Sequence, residues 1–486
     1  TFKMKENMHK MVFVNKTMDY GKVAAMGFSI DHSLIEYTPE FYSLAFDLVI
    51  QQLVKMNYPQ EISKLKYTHN YYVSVGVVDK KTGCVLQIDE FNNIHSCYHG
   101  VFELNKQQYS KLYPDRAIKV DQSQFFFPYE NFDQILVSIF CQLINYFDSK
   151  YQKISEPLLG QAEQEIRFIK LQVEGKIDYL NLFQDIFQIY SSVMTNRKLL
   201  LQHFAASPDL SKYFKAPDHL LQTLTRLKEV KKLFILTYLD LDYTEFILSK
   251  CIPNYRDLFD YILLSKSLDQ FFFENKPFRK YYLEQRLVGL GDVGDQLEPH
   301  QIYFNGNIND FQKLTGIKSK HTLYISEFFK AQSDVCKAAS WMLCQICPQL
   351  SFELKVLMMN QQQLEEIRRC KQKVRQLLSG LSSDDINPPA DLYLLEKLLY
   401  DHQKEMNGRF GAFGSPFQTT WALTARGKQL TSSCNLYCLN AANFYYYAPF
   451  VMFQVCFSNR YLPHQQVEMR IDAENVYLEI ESSVQE

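Results

Sequence analysis

Four short apolar runs, Val23–Phe28, Leu233–Leu236, Tyr261–Leu264 and Thr322–Ile325, set the tightest limit on the fold. Several lack apolar–polar alternation, as strands buried on both faces do. Between and around them, Asn131–Phe147, Gln161–Met194 and His219–Val230 carry apolar residues at threes and fours, which predicts helices. Strands separated by helices make a parallel α/β sheet, and ligands of such sheets bind beyond the carboxyl ends of the strands. The loops after Phe28, Leu236, Leu264 and Ile325 are therefore the candidate site. Tyr71–Val78 and Cys84–Ile88 flank Asp79-Lys80-Lys81-Thr82-Gly83 and read as a hairpin with a Gly-containing turn. The apolar stripe through Leu357, Leu364, Ile367, Val374 and Leu377 reads as a packing face rather than a cofactor box. Ser382 to Pro389 is the clearest linker.

A chain of 486 residues with 47% hydrophobic content has enough apolar surface for a large core. The net charge of −2 calls for neither nucleic acid nor an anionic membrane, and the basic cluster from Arg226 to Lys232 reads as a solvated helix end. Eleven scattered cysteines, an odd count, favour reduced thiols and an intracellular compartment. Cys344-x-x-Cys347 lies in an apolar, helix-like stretch and reads as buried helical thiols rather than a metal or redox pair. The longest apolar stretch, Phe444 to Phe457, is interrupted by Pro449 and Gln454 and is too short to span a bilayer. No secretory signal is legible, and a start at Thr1 leaves a preceding targeting segment open.

The four loops, within "GFSIDHSL", "LTYLDLDYT", "LLSKSLDQFFF" and "YISEFFKAQ", taken in order, resemble those of the haloacid-dehalogenase-type cytosolic purine 5′-nucleotidases. "GFSIDHSLIEYTPEFYSLAFDLVIQQLVKMNYPQE" is similar to that family's opening, and "GVVDKKTGCVLQIDEFNNIHSCYHG" to its following hairpin. "LTRLKEVKKLFILTYLDLDYT" resembles the second motif region. A C-terminal segment with Gly414-Ser415, Phe417, Leu436-Tyr437 and Pro463-His464 completes a collinear match from about residue 20 to 465. The resemblance implies a Rossmann-like parallel sheet over 20–37 and 215–380. It also implies an α+β cap inserted at 38–214, between the first two motifs, and a linker plus helical C-terminal extension at 381–486.

The resemblance also assigns roles, and this chain departs from most of them. The family's first motif, G-F-D-x-D-x-T, supplies a nucleophilic Asp and an acid/base Asp; the aligned residues here are Ser29 and Asp31. A serine nucleophile needs a base or metals to take its proton. Because alternate residues of an extended segment share a side, Asp31 is placed to reach Ser29 and His32 to face away. The phosphate-binding hydroxyl of the second motif is carried over as Thr237, followed by Tyr238 and Leu239. Leu268 stands where the third motif has a Lys that neutralises developing charge, and Lys266 is expected to be exposed. Ser326, Glu327 and Gln332 occupy the fourth motif, where two Asp would serve magnesium, and Phe328 and Phe329 add bulk.

Loss of a covalent nucleophile can lower a hydrolase's rate by about 10⁶. These substitutions predict a non-catalytic relative with vestigial Asp31 and Glu327, no cofactor, and magnesium binding lost or weak. A structural or scaffolding subunit of an intracellular assembly is the expected role, with other proteins as partners in a homo- or hetero-oligomer. The alternatives are a purine-nucleotide-binding regulator without turnover and a weak phosphohydrolase using Ser29. Cytoplasm or cytoskeleton is the expected location, with mitochondria as the alternative.

Overall fold

The strand Ala25–Phe28 runs through the centre of a large sheet, and Gly27 explains how it fits there. A Cβ at Gly27 would lie 2.4 Å from the ring of Phe234 and 2.9 Å from that of Tyr324, so the neighbouring aromatics occupy the space a side chain would need. The computed structural model describes residues 8–68, 76–153, 177–291, 293–327, 336–337, 339–381, 389–411, 413–420, 422–455 and 462–465.

Among the described residues the large sheet has ten strands. Seven are mutually parallel, in the order Leu436–Cys438, Met342–Ile346, Thr322–Ser326, Ala25–Phe28, Lys232–Thr237, Tyr261–Leu264 and Gln301–Asn305. Antiparallel strands close both edges: Val12–Val14 on one side, Phe278–Tyr282 with Leu287–Val288 on the other. The four strands read from the sequence are thus consecutive neighbours, with Ile325, Phe28 and Ile235 in register, and their loops emerge side by side. Two further strands, Val12–Val14 and Leu436–Cys438, join from outside residues 20–37 and 215–380.

The chain between Phe28 and Lys232 holds a separate antiparallel sheet of Phe102–Leu104, Ile94–His99, Cys84–Ile88, Gly76–Asp79 and Phe125–Phe126. The expected hairpin is present, with Gly83 in the left-handed region at φ 68°; residues 71–75 of its first arm lie outside the described residues. Helices Pro39–Lys55, Asp133–Lys153 and Tyr179–Asn196 pack together over the large sheet and share its core. Helices Gln361–Ser379 and Ala390–Gly408 form a hairpin around their own small apolar cluster.

Several expectations need correction. Cys344 lies on the strand Met342–Ile346, not on a helix; it is buried, and its sulfur sits 3.7 Å from that of Cys438 on the next strand. A fully buried parallel strand is a short continuous apolar run, which periodicity alone does not separate from a buried helix. The Arg226–Lys232 cluster is not a solvated helix end. Lys231 is buried and donates to the carbonyls of Tyr20 and Val23, while Arg226 donates to those of Phe444 and Tyr447. The predicted helix from Gln161 starts at Tyr179 in its described part, residues 154–176 lying outside it. The stripe from Leu357 to Leu377 is divided between Leu350–Met359 and Gln361–Ser379 by a break at Asn360. Of the linker, only Pro389 and the residues after it are described.

Candidate functional site

Beyond Phe28 the chain turns sharply. The Ser29 amide donates to the Ile325 carbonyl at 3.0 Å, that of Leu34 to Ile30, and His32 takes a left-handed φ of 57°. This places Ser29, Asp31 and His32 at the carboxyl edge of the sheet, where each finds a different partner. The Ser29 hydroxyl lies 2.7 Å from that of Ser33, which also donates to the Ser29 carbonyl. Asp31 does not pair with Ser29; its carboxylate instead meets Arg197, a residue the sequence reading did not single out.

Arg197 approaches from the break between helices Tyr179–Asn196 and Lys198–Ala206, itself left-handed at φ 52°. Such a backbone is uncommon for a bulky residue and persists where the surroundings over-determine it. Here they do. Nη1 donates to Asp31 Oδ1 at 2.9 Å, Nη2 donates to Oδ2, and Nε donates to the Met194 carbonyl at 2.9 Å. The guanidinium also lies over the rings of Tyr243 and Phe132, at 4.6 and 5.4 Å from their centroids. The Tyr37 hydroxyl adds a 2.6 Å hydrogen bond to Asp31 Oδ1. Burial pushes the Asp31 carboxyl up, but the charge and hydrogen bonds of Arg197, with those of Tyr37, hold it below the usual carboxylate range. Arg197 is 1% exposed and Asp31 4%, so the pair is dry and bidentate.

His32 meets Tyr42 and Glu327. Its Nε2 lies 2.9 Å from the Tyr42 hydroxyl and its Nδ1 2.6 Å from Glu327 Oε2. The same Glu327 oxygen takes a hydrogen bond from Asn131, whose own carbonyl oxygen accepts from Gln349. Glu327 Oε1 is buried with no hydrogen-bond partner among the described residues. Nearby, Asp133 accepts the Glu130 amide and the Tyr190 hydroxyl; burial raises its pKa to about 7.

The remaining positions close the space. Thr237 Oγ1 accepts the Leu239 amide at 3.2 Å, while Leu268 is buried in an apolar cluster with Leu236 and Tyr324. Lys266 is exposed. Ser29, Ile30, Asp31, Leu236, Thr237, Tyr238, Leu268 and Tyr324 leave about 10 Å³ between them, room for roughly one water. Gln332, Phe328 and Phe329 lie outside the described residues.

The family model for the 5′ nucleotidase family matches residues 12–467. The chain belongs to that family. A 5′-nucleotidase domain-containing protein of Dictyostelium discoideum is 22% identical over 476 residues, covering 93% of this chain and 74% of that protein. Among solved structures, a predicted phosphoglycolate phosphatase from Haemophilus somnus has a TM-score of 0.26 at 11% identity, covering 67% of this chain and 85% of its own. A putative HAD-hydrolase from Bacillus subtilis, bound to magnesium, has a TM-score of 0.23 at 10% identity, with 67% and 89% covered. Within this 5′-nucleotidase-family chain, the match spans every loop described above. No helix among the described residues is long and apolar enough to cross a membrane.

Proposed function

We propose that this 5′-nucleotidase-family chain does not hydrolyse phosphate esters and serves as a structural or scaffolding subunit of a larger intracellular assembly. The observation that carries the reading is the guanidinium of Arg197 clamped on both oxygens of Asp31. An acid/base catalyst must exchange a proton during the reaction, with a pKa near the working pH. Asp31 is held ionised by a permanent cation, so it has no proton to give, and three of its roughly four lone-pair sites are already engaged. With Ser29 turned to Ser33, no base is paired with the hydroxyl that would have to attack phosphorus.

The donor set also fits magnesium poorly. Magnesium takes near-octahedral oxygen ligands and keeps several waters. Here the Asp31 backbone carbonyl accepts the Ser33 amide at 2.7 Å, and one Glu327 oxygen is engaged by His32 and Asn131. Arg197 already neutralises Asp31, and the remaining space is about 10 Å³. Among the described residues that space is smaller than a phosphoryl group.

Exposed apolar side chains on the helical hairpin favour an interaction role: Tyr393, Leu394 and Leu398 on one helix and Leu378 on the other. The test has two arms. Purified chain is incubated with IMP, GMP and p-nitrophenyl phosphate in magnesium buffer, beside Ser29→Ala; phosphate release at the Ser29→Ala level is expected. Magnesium-dependent turnover abolished by Ser29→Ala overturns the loss of catalysis. Native extract is then fractionated for stoichiometric partners, and a lone monomer at physiological concentration removes the scaffolding role.

A further inference from the structure

The five-stranded sheet buries a second polar cluster, made of Cys84, His99, Asp148 and Tyr179. Cys84 and His99 are directly opposite on neighbouring antiparallel strands, so their side chains share a face. Cys84 Sγ is 3.9 Å from His99 Nδ1, and His99 Nε2 is 2.8 Å from Asp148 Oδ2. The Tyr179 hydroxyl donates to the other Asp148 oxygen at 2.9 Å. All four residues are buried. The described residues hold no group of three or more His, Cys, Asp or Glu placed to bind a metal ion, which sets metal ligation aside.

The order of these groups fixes the direction of proton flow. The Asp148 carboxylate accepts a hydrogen bond from the Nε2–H of His99, leaving Nδ1 towards the sulfur to receive the thiol proton. A nucleophile, a base and a carboxylate that orients the base stand in line, the arrangement by which cysteine nucleophiles are activated. The Cys97 side chain shares this face on the adjoining strand. Burial pushes the Cys84 thiol up, but Cys97, His99 and Thr82 hold it below the ordinary thiol value, and Cys97 is pushed well up in return. His99 is held above its ordinary value: burial lowers it, and Asp148 and Cys84 raise it further. Asp79, Tyr113 and Cys141 are the other titratable groups whose charge is felt here. Burial alone moves thiols the opposite way, as at Cys251 and Cys336, both pushed up to about 12.

The turn at residues 79–83 adjoins this cluster. Gly83 sits over it with φ 68°, and a Cβ there would meet His99 at 3.1 Å and Tyr179 at 3.2 Å. Lys81 in the same turn is exposed. Local opening of that turn is the route by which a molecule close to water in size would reach Cys84.

We infer that Cys84 is a peroxide-reactive thiolate activated by the His99–Asp148 pair, and thus a redox modification site. The Cys84 sulfur attacks one oxygen of hydrogen peroxide and the O–O bond breaks. The departing hydroxide takes the proton from the His99 imidazolium and leaves as water. Cys84 becomes a sulfenic acid, oxidised by two electrons while the peroxide is reduced by two.

The full-length chain in its native state is treated with hydrogen peroxide and dimedone, and separately with iodoacetamide across pH 6.5–8.5, with each cysteine followed by mass spectrometry. Cys84 is expected to take dimedone first, and its alkylation rate to change less than about twofold over that range. An ordinary thiol's rate rises roughly fiftyfold over the same interval, from a pKa near 8.5. Asp148→Asn, which keeps the shape of the side chain, should restore most of that steep rise; His99→Gln should do the same if it folds. Cys84 labelled only after denaturation, or with an ordinary steep profile in the unmodified chain, overturns the inference. So does a flat profile that survives Asp148→Asn.

Discussion

Asp31, at the carboxyl edge of the parallel sheet, and Asp148, under the five-stranded sheet, each take a hydrogen bond from a tyrosine hydroxyl and pair with a basic side chain, Arg197 through two bonds and His99 through one. The partner separates them. Arginine does not lose its proton in a protein, so Asp31 and Arg197 form a fixed pair with nothing to exchange. Histidine exchanges its proton near neutrality, so Asp148 orients a base that has a thiol on its other side. Similar burial and similar hydrogen bonds therefore give a lock in one place and a proton relay in the other. Chemistry depends on whether the cation can let go.

The strongest way to break the comparison is Arg197→Met. It leaves Asp31 buried without its counter-charge, and a loss of about 3–5 kcal/mol is expected in urea unfolding. Adding Asp31→Asn should recover much of that loss, because the orphaned charge goes too. A single-variant loss below about 1 kcal/mol would mean that the pair is no lock. Asp148→Asn removes a carboxylate but keeps hydrogen-bonding capacity, and should cost about 1–3 kcal/mol by the same measurement.

Acidity sharpens the contrast further. The folded-state pKa of Asp31 is depressed, so its contribution is present above the ordinary value of 3.8 and is lost as pH falls through the lower folded one. Asp133, raised to about 7 by burial, has the opposite sign: its contribution is full below 3.8 and declines as pH rises towards and through 7. Unfolding followed from pH 3 to 8 should show stability falling with pH from the Asp133 term across 4 to 7, and Asp133→Asn should flatten that component. An unchanged slope in the variant would reassign the burial effect to another group. The smallest change is expected from Lys266→Ala, within about 0.5 kcal/mol, since that side chain is exposed.

How far each residue was legible follows from how local its signal is. The apolar runs at Ala25–Phe28 and Tyr261–Leu264 are strands because continuous burial on both faces leaves a continuous apolar pattern. Cys344 shows the limit of the same signal, since a short apolar run with no turn residues inside it also suits a helix. The turn at His32 separated Ser29 from Asp31 in a way that extended alternation does not anticipate. Arg197 had only a faint mark, a polar Thr195-Asn196-Arg197 step after an apolar helix. Nothing nearby says which charge it meets. Gly83 beside Cys84 read as a turn glycine, and the sequence has no sign that His99 and Asp148 converge beneath it.

The sequence by itself determined the parallel sheet, its order of strand-ending loops, the family membership and the residue types at each loop, because each is written in local pattern or collinear motif. The tertiary structure alone decided that Asp31 meets a guanidinium 166 residues away and that Cys84 meets an imidazole oriented by a carboxylate. The reason is physical. Burial makes an unpaired charge expensive, so every buried carboxylate needs a partner, but the fold chooses which partner lies within reach. GFSIDHSL therefore names the groups at the sheet edge, and Arg197 decides what Asp31 is free to do.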